Sequence, residues 1–494
     1  MKSPAPRANK TAQPTPERDA VLPSIATICR PLRRALYPVA FLAALACFAP
    51  TPARPSVGVV LNESLHESLD RITGTGHTAV YFSNICADSP IKLRLCRPGE
   101  LGSVMSVYIN IGEDQPYGWN IVPLNIYLYG VEDPRNRPIF GSYKLKRLLE
   151  DRYRDNYLAD TCATPTCQTS PKAEWREMVG ATVIRSVYIF AVDTTVDQDR
   201  AIIDQFNDSV NKNHFNGFTR NCADFTRNLI NTYFPGAVRR DVINDFGMTS
   251  PKAVARTFTH YALHHPDSNF RVMHFAQVPG TIPRSSEVRA GTEQLFRSKK
   301  WLIPMAVVAY HELPFAAGSY LLTGRFNPQH TFEKYPVMEA SADDPAPSVS
   351  PQSRLQIVGT SAAWKDYHKS LDSLVDRNQT LFDRQDLAHF FKTLDKDGEP
   401  SIDPDGSLWI DLSENGEPLR IGVSANNALA HSSNPQLAYK FLAARVTRVL
   451  KSPKHSRETM PEFQQDWSAL QHALAQLNSP TTTAATKGFV GPAF

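Results

Sequence analysis

The sequence has no excess of charge of one sign. Its 494 residues include 53 Lys and Arg against 49 Asp and Glu, which leaves a net charge of +4. Proteins that bind nucleic acids or other polyanions concentrate basic residues on one surface or in one segment. The charge balance therefore gives no support to such a partner, and we expect no nucleic acid.

Cysteine is also scarce, and its spacing argues against zinc. A site built from four cysteines needs closely spaced pairs such as C-x-x-C. Outside the N-terminal segment, four cysteines fall into two pairs whose members lie ten and five residues apart: Cys86 with Cys96, and Cys162 with Cys167. We predict no metal site and no cofactor from these residues.

The same two pairs fit short disulfide-closed loops. Disulfides persist in exported proteins, and a single odd cysteine beside such a framework is a candidate reactive thiol. The odd cysteine of this part of the chain is Cys222. The pattern therefore predicts an exported protein with two disulfides and one reactive cysteine.

Long hydrophobic runs are few. The first, Ala35 to Ala49, follows a basic cluster that includes Arg33 and Arg34. It is shorter than the roughly 20 residues of a membrane span and is typical of a signal sequence. We predict that residues 1–56 are a leader that is either cleaved or kept as an anchor.

The second run, Trp301 to Leu322, contains two prolines and the adjacent His311 and Glu312. Charged and polar side chains are costly inside lipid unless they face protein. This run favours a buried or interfacial helical hairpin over a spanning helix.

The length predicts two or three domains after the leader. Composition and the order of predicted elements divide the chain into a candidate catalytic domain at 57–240, a helical extension at 241–340, a Pro- and Ser-rich linker at 341–354, a mainly helical C-terminal domain at 355–480 and a disordered tail at 481–494. Within the C-terminal domain we expect a β-hairpin at 401–421.

Periodicity predicts an α+β fold for the candidate catalytic domain. Apolar residues predict a helix from Val57 to Leu69, whereas His77 to Phe82 alternates as a strand and leads into a hairpin closed by Cys86 and Cys96. Further strands are expected at 104–111, 121–131 and 182–192, with helices at 143–157 and 196–211.

A helix is expected to begin at Cys222. Asn221 is a good N-cap, and Phe225, Leu229 and Ile230 recur at helical spacing. A thiol in the first turn lies near unsatisfied backbone amides, which favour its thiolate form. The alternative is that Cys222 is a buried structural residue, as many cysteines are.

A cysteine nucleophile requires a base within reach. His77 begins a strand after a flexible Thr- and Gly-containing segment, so its side chain can point into a cleft. His214, eight residues before Cys222, is the rival and is expected on a loop.

The segments T-G-T-G-H-T-A-V-Y-F around His77 and F-T-R-N-C-A-D-F-T-R-N-L-I around Cys222 resemble the circularly permuted papain-like superfamily, which includes lecithin-retinol acyltransferase and permuted NlpC-type enzymes. Within it, the Gly-His pair, the Gly118-Trp119-Asn120 region and the Asn-Cys pair are similar to the bacterial Lnb-type lipoprotein N-acyltransferase domains. The resemblance covers about residues 62–235, and its motifs are short.

The resemblance implies an antiparallel sheet with a nucleophile-bearing helix, followed by a mainly helical C-terminal region. It implies that Cys222 is the nucleophile, that His77 is the base and that an acyl thioester forms. Asn221 and the first-turn amides are candidate oxyanion donors. The candidates for a third residue are Glu100, Ser106 and Asn110.

We therefore expect a cysteine-dependent acyltransferase or hydrolase of the cell envelope or periplasm, associated with the membrane. Its expected substrate is an acyl ester or amide of lipid or lipoprotein type. The alternatives are a peptidoglycan amidase or endopeptidase of the same fold, and a non-catalytic envelope scaffold.

Overall fold

The computed structural model describes residues 55–65, 76–109, 117–159, 174–211, 216, 219–241, 243–245, 247–278, 280–297, 312–335, 394–414, 417–424, 442–447 and 460–477, with single positions or pairs between 366 and 373 and at 427, 439 and 450. The chain divides into two units, residues 1–53 and 54–494. The predicted leader up to residue 54, the linker at 341–354 and the tail at 481–494 lie outside the described residues.

The second unit contains a six-stranded antiparallel sheet in the order β6-β5-β2-β1-β7-β8. Its strands are β1 (Ser56–Asn62), β2 (His77–Phe82), β5 (Ser103–Ile109), β6 (Tyr117–Pro123), β7 (Val187–Asp193) and β8 (Arg271–Phe275). Strands β3 (Ile85–Ser89) and β4 (Lys92–Leu95) form a separate hairpin. The predicted α+β class is confirmed.

The helices connect and cover these strands. They are α1 (Leu124–Tyr129), α2 (Tyr143–Tyr157), α3 (Ala181–Ile184), α4 (Val196–Asp208), α5 (Cys222–Tyr233), α6 (Pro251–Leu263), α7 (Gly291–Arg297), α8 (Glu312–Ser319) and α9 (Pro328–Lys334). Short 3-10 turns occupy Pro134–Asn136, Glu174–Met178 and Pro266–Ser268, and a π-helical turn occupies Tyr320–Gly324.

The helix expected over 57–69 is wrong for residues 57–62, which belong to β1, while residues 66–69 lie outside the described residues. This strand lies between β2 and β7, and all seven of its residues are buried. A strand covered on both faces is mostly apolar, so its sequence lacks the alternation that identifies a half-buried strand. The apolar run then matches helical spacing by chance.

Two further predicted strands are partly wrong. The strand expected over 121–131 ends at Pro123, where α1 begins, and the strand expected over 182–192 begins only at Val187, after α3. All residues of the two short helices except Asn125 are buried, and most are apolar residues that also suit strands. Periodicity cannot separate a short buried helix from a buried strand.

Other predictions are confirmed. The helix over 143–157 is α2, and the helix over 196–211 is α4, which ends at Asp208. The Cys86–Cys96 disulfide is present and closes the β3–β4 hairpin. Cys162 and Cys167 lie outside the described residues, so their pairing stays a prediction.

The two faces of the six-stranded sheet pack against different sets of helices. Ala79 and Tyr81 of β2 belong to the core beneath α1, α2 and α3, whereas Val80 and Phe82 belong to the core beneath α5 and α6. The rings of Phe82 and Tyr233 of α5 lie 6.3 Å apart. Because side chains alternate along a strand, His77 shares the face of Ala79 and Tyr81.

A smaller sheet lies further along the chain. It consists of β9 (Glu399–Ile402), β10 (Leu408–Glu414) and β11 (Glu417–Gly422), and the expected hairpin at 401–421 is present as β10 and β11. Helix α10 (Met460–Leu477) follows. Side chains of β10, β11 and α10 join the same core cluster as α1 and α2.

Of the helices in the described part of the chain, none combines the length and the apolar character required to cross a membrane.

His274 on β8 is a buried histidine in an apolar sandwich. Its ring stacks on Tyr188, with centroids 4.4 Å apart, and lies 5.3 Å from the ring of Phe332. Both ring nitrogens are buried without a hydrogen-bond partner in the described part of the chain. Burial, with a smaller contribution from Arg284, lowers the pKa of His274 to about 3.

We predict that His274→Phe raises the free energy of unfolding by about 1 kcal/mol at pH 7, because it removes unsatisfied polar atoms and keeps the ring stack. Between pH 6.5 and about 3 the unfolded chain binds a proton that folded His274 excludes. Wild-type protein therefore loses about 1.4 kcal/mol per pH unit from this residue, and the advantage of the variant grows as the pH falls.

Denaturant unfolding at pH 7 and pH 5 measures the difference. The control is His265→Gln, which changes an exposed histidine. An advantage of His274→Phe that does not increase at pH 5 would contradict the neutral buried imidazole.

Candidate active site

Cys222 is the first residue of α5, as predicted. The Asn221 side chain caps this helix, because its oxygen accepts a hydrogen bond of 2.9 Å from the Asp224 amide. The Asn221 Nδ2 donates to the Thr249 carbonyl oxygen at 3.2 Å. The half-buried Cys222 is not part of a disulfide. An oxyanion needs hydrogen-bond donors, and the Asn221 Nδ2 already donates to Thr249, so the backbone amides of this turn are the stronger candidates for that role.

The buried carboxylate of Asp224 holds the same turn in place. Asp224 is 2% exposed, and its Oδ1 accepts hydrogen bonds from Arg240 Nη2 and Thr249 Oγ1, both at 2.7 Å. A carboxylate in the first turn also favours the helix dipole. Asp224 thus holds the cysteine-bearing end of α5 to the segment that precedes α6.

The position before His77 requires glycine for steric reasons. Gly76 has a φ of +70°, and a Cβ there would lie 2.4 Å from the Asn62 carbonyl oxygen and 2.4 Å from Val288 Cγ1. Only glycine tolerates both the left-handed backbone and this contact. Gly76 therefore allows the chain to turn tightly into β2 and place His77 opposite Asn62, its register partner on β1.

His77 is held by a chain of two hydrogen bonds. Its Nε2 lies 3.0 Å from Ser106 Oγ, and Ser106 Oγ donates to the Thr78 carbonyl oxygen at 3.0 Å. A serine hydroxyl has one proton, so Ser106 must accept from His77. The hydrogen-bond network thus assigns the proton of the neutral ring to Nε2 and leaves the lone pair on Nδ1.

The neutral form of His77 is strongly favoured. Burial is the main cause, Glu177 opposes it and Arg185 adds to it, and together they lower the pKa of His77 to about 4. Glu177 and Arg185 form an ion pair of 2.6 Å, so their opposing effects on the histidine largely offset each other. His77 is therefore an uncharged base at neutral pH.

The structure distinguishes among the candidates for a third residue. Ser106 contacts His77 directly. Glu100 instead forms two hydrogen bonds of 2.7 Å with Arg94 on the β3–β4 hairpin side, and these hold the pKa of Glu100 to about 2. Asn110, like the rival base His214, lies outside the described residues.

The body of α5 packs on the sheet face opposite to His77. Cys222 itself is partly buried against the core on that same opposite face. Tyr127 of α1 links the two sides. Its pKa is raised to about 12, chiefly by burial; Arg185 and the Asn62 hydrogen bond oppose the rise, and Glu177 and Cys222 contribute to it. Cys222 thus acts electrostatically on a phenol of the His77 face.

Several polar groups of this face were not predicted as site residues. They are Asn62, Asn120, Tyr127, Glu177 and Arg185. Asn62 and Asn120 are fully buried, and Asn120 is the register partner of Ser106. An asparagine at an inward position of an apolar strand is a visible signal, because buried polar groups need partners. Tyr127 and the ion pair carry no such signal in the sequence.

A small cavity of about 80 Å³ opens beside the first turn of α5. Its lining combines the apolar side chains of Val107 and Phe225 with Thr219, Arg220, Asn221, Asp224 and Asn228. This volume admits a few non-hydrogen atoms. A long acyl chain would have to extend beyond it.

In the described part of the chain, one group of three metal-ligand side chains lies close together: Cys86, Cys96 and Glu100. Both sulfurs of that group are joined in the disulfide. It therefore offers no thiolate to a metal ion.

Comparison with known proteins gives no match: no protein-family model, no curated protein and no solved structure is similar to this chain.

We predict that the His77 ring titrates with a midpoint near pH 4 and that its neutral form carries the proton on Nε2. Nitrogen-15 NMR of the imidazole measures both properties, and His77→Gln assigns the signals. Ser106→Ala should weaken the tautomer preference, because it removes the acceptor of the Nε2 proton. A midpoint at or above 6.5, the ordinary value for histidine, would contradict the neutral buried imidazole.

Proposed function

We propose that this protein is a cysteine-dependent acyl-transfer enzyme, an acyltransferase or hydrolase that forms an acyl thioester on Cys222. The observation that carries the proposal is the His77–Ser106–Thr78 hydrogen-bond chain, because it orients an imidazole that is neutral at pH 7. The first-turn position of Cys222 supplies the thiol.

In the first half-reaction the Cys222 sulfur attacks the acyl carbonyl carbon, and His77 Nδ1 takes the thiol proton. The carbonyl electron pair moves to oxygen, which the first-turn amides of α5 stabilise. When that pair returns, the bond to the leaving group breaks. His77 gives its proton to the departing oxygen or nitrogen, and the thioester remains.

In the second half-reaction water or an acceptor attacks the thioester carbonyl carbon, and His77 takes its proton. The carbon–sulfur bond then breaks, and the proton returns to the sulfur. Ser106 keeps the ring in one orientation throughout, which is the role that a third residue has in a triad. Ser106 is thus a positioning residue.

The proposed substrate is an acyl ester or amide of lipid or lipoprotein type, and the proposed location is the cell envelope or periplasm, with membrane association. The sequence resemblance and the signal-like leader support this assignment. The Cys86–Cys96 disulfide agrees with an oxidising compartment.

A peptidoglycan amidase or endopeptidase is the second candidate. The observation in its favour is the set of uncharged polar side chains on the His77 face, Asn62, Ser106 and Asn120, each at most 1% exposed. Such groups suit a polar peptide better than an alkyl chain.

We predict that Cys222→Ala abolishes covalent acylation by a p-nitrophenyl ester, measured by intact-protein mass. His77→Gln should slow acylation by roughly 100-fold, because it removes a general base. His265→Gln, which changes an exposed histidine, serves as the matched control and should react at the wild-type rate. Continued acylation of Cys222→Ala would sink the proposal.

Natural substrates separate the two candidates. Purified protein is incubated with diacyl phospholipid plus an amine-bearing lipopeptide in one arm and with muropeptides in the other. Product masses then show which acyl bond is broken. An unmodified thiol in both arms, together with resistance to iodoacetamide, would instead favour a non-catalytic scaffold.

A further inference from the structure

Three large apolar side chains are exposed along one short stretch of the chain. Phe315 of α8 is 67% exposed, and Leu321 and Leu322 of the π-helical turn that follows are 53% and 87% exposed. Single exposed apolar residues are ordinary, but a group of them marks a contact with a protein or a membrane. We call these three residues, together with the exposed Arg325, the docking surface.

Polar residues of the same stretch attach it to the fold. Tyr320 Oη donates to the Glu293 carboxylate, which also accepts a hydrogen bond of 2.7 Å from Lys252 Nζ. The Thr323 carbonyl oxygen accepts a hydrogen bond from Arg256 of α6. The two leucines lie between these anchored positions. The turn is therefore held by its polar residues and exposes its apolar ones.

The charges in the sequence around the docking surface favour an anionic partner. The apolar run 301–322 has Arg297, Lys299 and Lys300 before it and Arg325 after it, and Glu312 is the sole acidic residue from 297 to 325. Basic residues that flank an apolar segment containing Trp and Tyr are typical of segments that lie at the surface of a bilayer. Each basic residue near anionic lipid strengthens binding about fivefold.

A short stretch joins the docking surface to the cysteine-bearing turn. Asn244 Nδ2 donates to Thr323 Oγ1 at 3.2 Å, and five residues later Thr249 Oγ1 donates to Asp224 Oδ1 at 2.7 Å. Asp224 lies in the first turn of α5, which begins at Cys222. Five steps between consecutive Cα atoms span at most about 19 Å. The two regions are therefore attached to one stretch, at points no further apart than that.

We propose that the docking surface inserts into the headgroup region of a bilayer that contains anionic phospholipid, and that this contact holds the first turn of α5 near the lipid. The inference rests on the membrane association in the proposed function and identifies the surface responsible for it. It does not depend on the chemistry at Cys222.

The size of the docking surface favours a bilayer over a protein partner. A fully exposed large side chain offers about 150–250 Å², so three of them offer less than the roughly 800 Å² that a stable protein interface buries on each partner. A bilayer needs no complementary surface. Insertion of a few apolar side chains and attraction of nearby basic residues are sufficient for reversible binding.

Hydrogen exchange of the full-length protein, measured by mass spectrometry with and without vesicles, tests the proposal. Vesicles of phosphatidylcholine and phosphatidylglycerol in equal parts should slow exchange of the backbone amides of residues 314–325. Vesicles of phosphatidylcholine alone should require at least roughly tenfold more lipid for the same effect. Because this readout is local, attachment of the protein through another segment does not produce it.

Substitutions assign the contributions of single side chains. Leu322→Gln should raise the concentration of mixed lipid that gives half of the protection roughly tenfold, because it removes an inserted apolar side chain. Arg325→Gln should raise it about fivefold. The matched control is Val210→Gln, which changes an apolar residue that is 81% exposed outside the docking surface, and it should have no effect. Unchanged exchange of residues 56–62 shows that each variant is folded.

Exchange of residues 314–325 that neither kind of vesicle slows would overturn the docking surface. Equal protection by both kinds of vesicle would overturn the preference for anionic lipid, and an equal effect of Val210→Gln and Leu322→Gln would overturn the role of the leucine. Cys222→Ala should dock like wild type, although it cannot form a thioester. Docking that requires Cys222 would overturn the inference, whereas docking without acylation of Cys222 in wild-type protein would overturn the proposed chemistry alone.

Discussion

The pairing of β1 with both of its neighbours is the constraint on which the candidate site depends. All seven residues of β1 pair with β7, and six of them pair with β2. The last pair in the second ladder is Asn62 with His77. The residue before His77 then lies so close to the Asn62 backbone that a side chain has no room. The end of β1 is therefore the reason that glycine precedes His77. At the same end of β1, Asn62 Nδ2 donates a hydrogen bond of 2.6 Å to Tyr127 Oη.

Uncharged groups dominate the immediate surroundings of the base. His77 contacts a serine, lies opposite an asparagine, and senses an ion pair whose two charges act in opposite directions. A site of this kind keeps the imidazole neutral, because burial penalises its charged form. His77 is then suited to accept the thiol proton during attack. The alternative used by many cysteine enzymes, a preformed thiolate beside an imidazolium, would require a less buried or more acidic setting.

The sequence was sufficient to predict the cysteine helix, because a cap and helical spacing are local properties of residues 221–230. It was also sufficient to predict β2 and to include Ser106 among three candidates. It could not select Ser106, since that choice depends on the register between β2 and β5. Tyr127 was missed because residues 124–129 were assigned to a strand, and the helix that presents its hydroxyl is too short to show a period.

The core on the His77 face of the sheet includes residues from distant parts of the chain. Its core cluster includes Leu408 and Ile410 of β10 and Phe463 and Leu470 of α10, far along the chain. The main sheet itself ends with β8, beyond residue 240. A fragment cut near that residue would lose an edge strand and expose the layer over the histidine. Transfer of the motif-bearing segment alone to another protein would therefore deliver the motifs without part of the core that packs over His77.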